Sequence, residues 1–471
     1  MIFDNLKLDL NITNLLNIEQ MEHFCAIILQ KQEKLKIALV NESKNPHKTT
    51  LSTIFKNEVL EFIDIKQEQF LKIITILKEK YFIQDTIEKI KFELKEKDTD
   101  DKDSSVAELL NFILQKAVLK NASDVHFELD IKELRIRFRI DGVLIEFYRF
   151  NSWLFAPLSS FIKLLAHLNL TESKLPQDGR FSLELTSVNN NLNIFDFRVS
   201  TLPLIEGESI VLRILDKQKT LLPLESLGFF KEDLVQMQKL FNLPYGLVFL
   251  TGPTGSGKST TMYAILNILK ERNLKIITLE EPVEYRVQHI NQVQINAQVD
   301  FNKILRNVLR QDPDVIILGE VRDNDSLKLA IQAAFTGHLV FATLHTNNAL
   351  DSISRLLDMG LEAHFITEAL SGVIAQRLVR RLCSCSEKKE NDFISKGCES
   401  CNFTGYKGRI AIAEILALDS NLQDYIKGKI TKTKMLEILN QNTKNYSLKD
   451  KANLLEKLGI TDKKEIARVI L

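Results

Sequence analysis

No apolar stretch of this chain approaches the ~20 consecutive residues needed to cross a bilayer as a helix, so no segment is expected to span a membrane. The opening residues, Met1-Ile2-Phe3-Asp4-Asn5, lack the basic-then-apolar order of a secretory leader. Net charge is missing too. The 62 Lys+Arg balance 62 Asp+Glu over 471 residues, so no global field draws the chain to nucleic acid or anionic lipid. Tryptophan occurs once, and no aromatic-plus-basic groove signature of a single-strand binder stands out. Cysteine is scarce, with five in all. Four of these fall between 383 and 401, which in a reducing compartment suggests a metal site more than disulfides. Cys25 stands alone and reads as a small buried hydrophobe. On this reading the protein is expected in the cytoplasm, with any membrane contact made through a partner.

What is present is ordinary globular composition, 45% hydrophobic and 26% charged, at a length that suggests roughly three domains. In the first ninety or so residues, apolar spacing predicts a helix over Ile18 to Gln32, a strand over Leu35 to Val40 and a helix over Gln67 to Tyr81. This is a small α/β module over 1–92. The run from Lys95 to Ser105 is almost wholly charged and polar, the composition of an exposed linker, here 93–104. A second unit, 105–222, starts with a helix over Val106 to Leu119. Strands follow at Ala122 to Phe127, Leu134 to Arg139, Phe181 to Leu185, Asn193 to Ser200 and Ser209 to Leu215, with Asp141-Gly142 as a hairpin turn. The third unit, 223–471, alternates short continuous apolar strands with helices. That pattern implies a parallel sheet covered on both faces.

Gly252-Pro253-Thr254-Gly255-Ser256-Gly257-Lys258-Ser259 matches G-x-x-x-x-G-K-[ST] at every defined position. Glycine is needed because backbone N–H groups must close around phosphate oxygens without a Cβ in the way. The loop follows an apolar run and opens a helical pattern, whose amino end favours an anion. Gly252 to Thr260 is therefore the expected nucleotide cradle, with Lys258 reaching the β- and γ-phosphates of ATP and Ser259 on Mg²⁺. A catalytic carboxylate should end another strand. Val315 to Leu318 supplies the strand, Gly319 replaces the usual Asp, and Glu320 follows at once as general base or water-orienting residue. Glu280-Glu281-Pro282-Val283-Glu284 follows a further strand. Its members either hold Mg²⁺ through water, with Glu281 and Glu284 as the candidates, or are solvated loop charges. Thr336-Gly337-His338 and Leu344-His345-Thr346-Asn347 flank one more strand, where His338 and His345 are candidates for sensing the γ-phosphate or bonding Glu320. Cys383-Ser384-Cys385 and Cys398-Glu399-Ser400-Cys401 bring four thiols into a short stretch, a pattern that favours Zn²⁺.

Taken in order, the phosphate loop, Glu280 to Tyr285, Gly319 to Asp323 and Thr336 through His345 resemble the ATPases of type II secretion and type IV pilus assembly. Ala122 to His126, Arg139 to Gly142, Gln177 to Arg180 and Gln376 to Cys383 carry the same resemblance, which spans roughly 105 to 415. It implies a RecA-like core, a preceding α/β domain that clamps over nucleotide, and an N-terminal adaptor. It implies Arg180, Arg198 and Arg213 as arginine fingers, suited to the task by their planar forks. It further implies a homo-hexameric ring at the inner membrane, pushing on a platform protein beneath a pilus or pseudopilus. Glu281 stands where Asp is common, and the first cysteine pair is one residue short of the family's spacing. A four-thiolate zinc element over 380–410 resembles assembly-type rather than retraction-type motors. Two other readings remain open: a nucleic-acid translocase on the same core, and a nucleotide-binding scaffold without hydrolysis.

Overall fold

A computed structural model describes residues 2–3, 6–7, 15–31, 33–96, 104–216, 222–295, 301–321, 323–389, 392–442 and 446–470. Two compact units result: Met1–Lys116 with Trp153–Leu165, and Ala117–Ser152 with Ala166–Leu471.

In the first unit the helix expected over Ile18 to Gln32 is only Ile18–Phe24. Asn17 and Gln20 close its start with a reciprocal capping box. Cys25 ends it in the left-handed region (φ 48°), its N–H donating to Glu22 and Met21 carbonyls. The following apolar run becomes the strand Ala26–Lys31, paired antiparallel with Leu35–Val40, which pairs in parallel with Leu60–Ile65. Met21, Ile27, Ile37 and Leu77 are fully buried between this sheet and its helices. Cys25 itself is half-buried. The helix from Gln67 runs thirty residues to Glu96, well past Tyr81 and into the stretch read as linker. Residues 97–103 of that linker lie outside the described residues. The next helix is Ser105–Leu119.

The second unit contains two large sheets. One is antiparallel, in the order Val143–Asn151, Glu133–Ile140, Asp124–Leu129, Gly207–Leu215, Leu192–Leu204, Gln177–Thr186. Along Glu133–Ile140, Leu134, Ile136 and Phe138 are fully buried while Arg135, Arg137 and Arg139 alternate on the other face. The turn at Asp141 (φ 49°) and Gly142 (φ 82°) has both central residues left-handed, the geometry Asp-Gly supplies to a two-residue hairpin.

The other sheet has the order Asn291–Gln294, Ile276–Glu280, Val315–Leu318, Leu339–Leu344, Gly246–Thr251, Leu370–Leu382, Tyr406–Ala417. All are parallel except the last. Gly246–Thr251 is buried at every residue. Leu247 and Phe249 enter one apolar core and Val248 and Leu250 the other, so helices cover both faces, as continuous apolar strands require. Ligands of such sheets gather beyond the carboxyl ends of the strands. Gly252, Glu281, Glu320 and His345 all follow such ends.

Candidate active site

The phosphate loop leaves its buried strand at Gly252 (φ 148°), where a Cβ would stand 2.5 Å from Ser256 Oγ and 2.6 Å from the Gln376 carbonyl. Gly257 (φ 91°) precedes the helix Lys258–Leu269, whose first-turn N–H groups have no partner within the helix. Ser256 Oγ is buried with no hydrogen-bond partner. A tight glycine cradle, free amides and an orphaned hydroxyl fit a phosphate group. Lys258 Nζ lies across the loop, donating to the Gly252 carbonyl at 2.5 Å and that of Pro253 at 3.3 Å. Burial pushes its ammonium down to about 8, against an upward pull from Glu320.

Beside the loop is a cavity of about 310 Å³ lined by Ser259, Glu281, Glu284, Glu320, Gly319 and Thr343, among others. The acidic residues therefore converge from two separate strands. Glu284 takes a hydrogen bond from Ser259. Burial raises its carboxyl above the usual range, and Arg198 and Arg213 pull the other way. An oxygen-only set of Ser259, Glu281 and Glu284 suits Mg²⁺, a hard cation. Glu320 Oε1 is 3.7 Å from His345 Nε2. Gly319 occupies its position for a steric reason: a Cβ there would approach the Leu279 carbonyl to 3.0 Å. Glu280 is held by the Tyr263 hydroxyl at 2.5 Å and Thr278 at 2.6 Å, so it positions its loop. Asp323 caps the helix Asn324–Phe335, and Arg322 lies outside the described residues.

His338 needs correction. It precedes the strand Leu339–Leu344, at the amino end of the sheet, with Nδ1 2.9 Å from the Ala333 carbonyl and 3.0 Å from Thr336 Oγ1. Six strand residues separate it from the carboxyl end, roughly 20 Å. It caps a helix and does not reach the phosphate loop of its own chain.

The three arginines share one row. Arg198 is directly opposite Arg180 on one side and Arg213 on the other, so their side chains leave the same face. Arg198 Nη2 donates to the Val283 carbonyl at 3.1 Å, which brings the row to the Glu284 loop. Arg213 Nε pairs with Asp124 Oδ1 at 3.0 Å, and Arg180 is exposed. Like charges directly opposite destabilise a sheet, and here carboxylates or a bound anion must offset them.

The four thiols also converge. Their sulfurs lie within 4.8 Å of one another, with Cys383–Cys398 and Cys398–Cys401 at 3.8 Å and Cys385–Cys401 at 3.9 Å. Zn–S bonds of about 2.3 Å in a tetrahedron put sulfurs about 3.8 Å apart. Cys401 Sγ accepts N–H bonds from Cys398 at 3.1 Å and Gly405 at 3.3 Å. The donor set therefore fits zinc despite the short first pair.

Residues 99–468 match the family model described as Type II/IV secretion system protein. The chain belongs to that family. The type II secretion system protein E of Pseudomonas aeruginosa is 41% identical over 387 residues, covering 78% of this chain and 76% of that one. The type II secretion system ATPase E of Vibrio cholerae is 42% identical over 387 residues, with 78% and 76% covered. Among solved structures, the pilus retraction motor PilT with bound ADP superposes with a TM-score of 0.56 at 26% identity, covering 76% of this chain and 96% of that one. The fold is the RecA-like core with a preceding domain seen in these secretion ATPases.

Sequence reasoning missed the residues that hold the loop of this family member in place. Gln376 Nε2 donates to the Ser256 carbonyl at 2.8 Å, and its Oε1 accepts from Thr261 at 2.8 Å. Arg377 donates to the Asn347 carbonyl at 2.7 Å. The strand that carries both follows the loop by over a hundred residues, and only the sheet order places it there.

Proposed function

We propose that this chain is an ATP-hydrolysing motor that drives assembly of a type II secretion pseudopilus or type IV pilus. It would work as a homo-hexamer in the cytoplasm, held at the inner membrane by a platform protein, without direct contact with nucleic acid. One observation carries the reading: Ser259, Glu281, Glu284 and Glu320 line a single cavity beside the phosphate loop, with Arg198 reaching the same acidic loop. Bound Mg²⁺ would neutralise charge on the β- and γ-phosphates. In this arrangement Ser259, Glu281 and Glu284 would hold the ion, Lys258 would leave its loop carbonyls for phosphate oxygens, and Glu320, oriented by His345, would align the attacking water. Arg198 and Arg213 stabilise charge on the leaving phosphates, and Arg180 extends the row. The domain boundaries belong to the same reading: adaptor 1–92, linker 93–104, clamp 105–222, and motor 223–471 with its thiolate element at 380–410.

Glu320→Gln is expected to keep ATP binding and lose turnover by about 10²-fold or more. Wild-type-like turnover would remove Glu320 from its role. Turnover per subunit should rise with protein concentration and ignore added DNA; strong stimulation by DNA would favour translocation instead. Metal analysis of purified protein should return about one zinc per chain.

A further inference from the structure

A second cavity, about 690 Å³, opens on the other flank of the phosphate-loop helix. Ser259 lines the carboxylate cavity, whereas Thr260, its neighbour, lines this one. A nucleotide whose reacting phosphate faces Ser259 and Glu320 must direct its nucleoside away from them, and this flank has room for it. One wall carries Ile140 and Ile145 from the hairpin of the antiparallel sheet, apolar surfaces that suit the flat faces of a base. Another carries Cys401, Asn402 and Thr404.

The second wall is the loop bearing the thiols, and the sulfurs shape it. Two backbone N–H groups bond Cys401 Sγ, as described above, and the chain then turns through two left-handed residues, Asn402 (φ 50°) and Phe403 (φ 59°). Left-handed residues other than glycine persist when their surroundings fix them. The hairpin is tied to the same loop's exit. Asp141 accepts the Gly408 N–H at 2.8 Å and pairs with Arg409 Nε at 3.2 Å.

We propose that the four-thiolate loop is the nucleoside-recognition wall of the site, so that metal held by the cysteines sets affinity and selectivity for the base, with Asn402 reading its edge. An amide side chain offers a donor and an acceptor together, which is what the edge of adenine requires. The proposal rests on the nucleotide reading above.

The test is calorimetric titration of the full-length chain with ADP, GDP and inorganic tripolyphosphate. The last of these probes the phosphate loop alone. Three forms are compared: zinc-loaded, chelator-stripped, and Asn402→Gly with its cysteines intact, since glycine accepts the left-handed backbone. In the stripped and Asn402→Gly forms, ADP should bind about tenfold more weakly and its advantage over GDP should narrow, while tripolyphosphate binding stays unchanged. Unaltered ADP affinity and base preference in Asn402→Gly would overturn the proposal. If stripping also abolishes tripolyphosphate binding, the stripped form has unfolded and Asn402→Gly alone decides. Zinc-loaded wild type that binds none of the three would overturn the nucleotide reading itself.

Discussion

The two sheets of the second unit display charge in different places. In the parallel sheet both faces are buried, so Glu284 and Glu320 lie in loops beyond strand ends and Lys258 opens the helix that follows one. In the antiparallel sheet one face is free of the core, and Arg180, Arg198 and Arg213 sit side by side in mid-strand. Burial on two faces confines chemistry to the ends of strands, whereas burial on one face allows a charged row across them. In the proposed function the parallel sheet would fix a nucleotide at one point, and the other would present an array to it.

The sharpest way to test this contrast is within the arginine row. Arg198→Ala, which removes the guanidinium that reaches the Glu284 loop, should cost about 10³-fold in turnover with little change in nucleotide affinity. Arg180→Ala, at the exposed end of the row, should cost far less. Equal losses from both would mean that the row acts as a diffuse field and not as a positioned contact.

The next largest effect lies in the parallel sheet, where a buried charge is tolerated only when paired. Arg380, near the end of the strand Leu370–Leu382, bonds Glu465 through Nε at 2.8 Å and Nη2 at 2.7 Å, and its guanidinium lies 3.9 Å from the centre of the Tyr406 ring. Glu465 is fully buried. Glu465→Ala strands the guanidinium and should destabilise the protein by about 3–5 kcal/mol, measured by denaturant unfolding.

A smaller effect concerns pH. Burial holds Lys258 at about 8 in the free protein, and phosphates opposite it would favour its charged form. Binding should then take up a proton above pH 8, and nucleotide affinity should fall by at most about tenfold between pH 7 and 9. Stability moves the other way. Because this pKa is below the ordinary Lys value, the unfolded chain binds more protons between about 8 and 10.5, and the contribution of Lys258 to stability rises through that window. Titrations in buffers of different ionisation heat would show the proton uptake, and Lys258→Arg should abolish it.

Most of the parallel sheet is legible in the residues because continuous apolar strands and a glycine-bounded loop have few other uses. The position of Glu281 and Glu320 just past strand ends was legible for the same reason. Composition and spacing were silent where the outcome depends on which strands become neighbours. Only the resemblance singled out Arg180, Arg198 and Arg213, and the order of the antiparallel sheet is what sets them opposite one another; Gln376 carried the resemblance too, but its bond to the phosphate loop requires its strand to lie beside Gly246–Thr251. His338 misled because adjacency to a core strand says nothing about which end faces the site. The helix over Ile18 to Gln32 was overextended because Cys25 stops it in a left-handed conformation, which a cysteine does not advertise as glycine would.

The shortened cysteine pair has a consequence for finding relatives. Cys383 directly follows the strand Leu370–Leu382 and Cys385 sits in a turn closed by the Ser386 N–H on the Cys383 carbonyl at 2.9 Å, so a single intervening residue leaves both sulfurs within reach of the other two. A pattern that demands two intervening residues in both pairs would pass over this chain. A search keyed to where the sulfurs converge, all within 4.8 Å of one another, would find it.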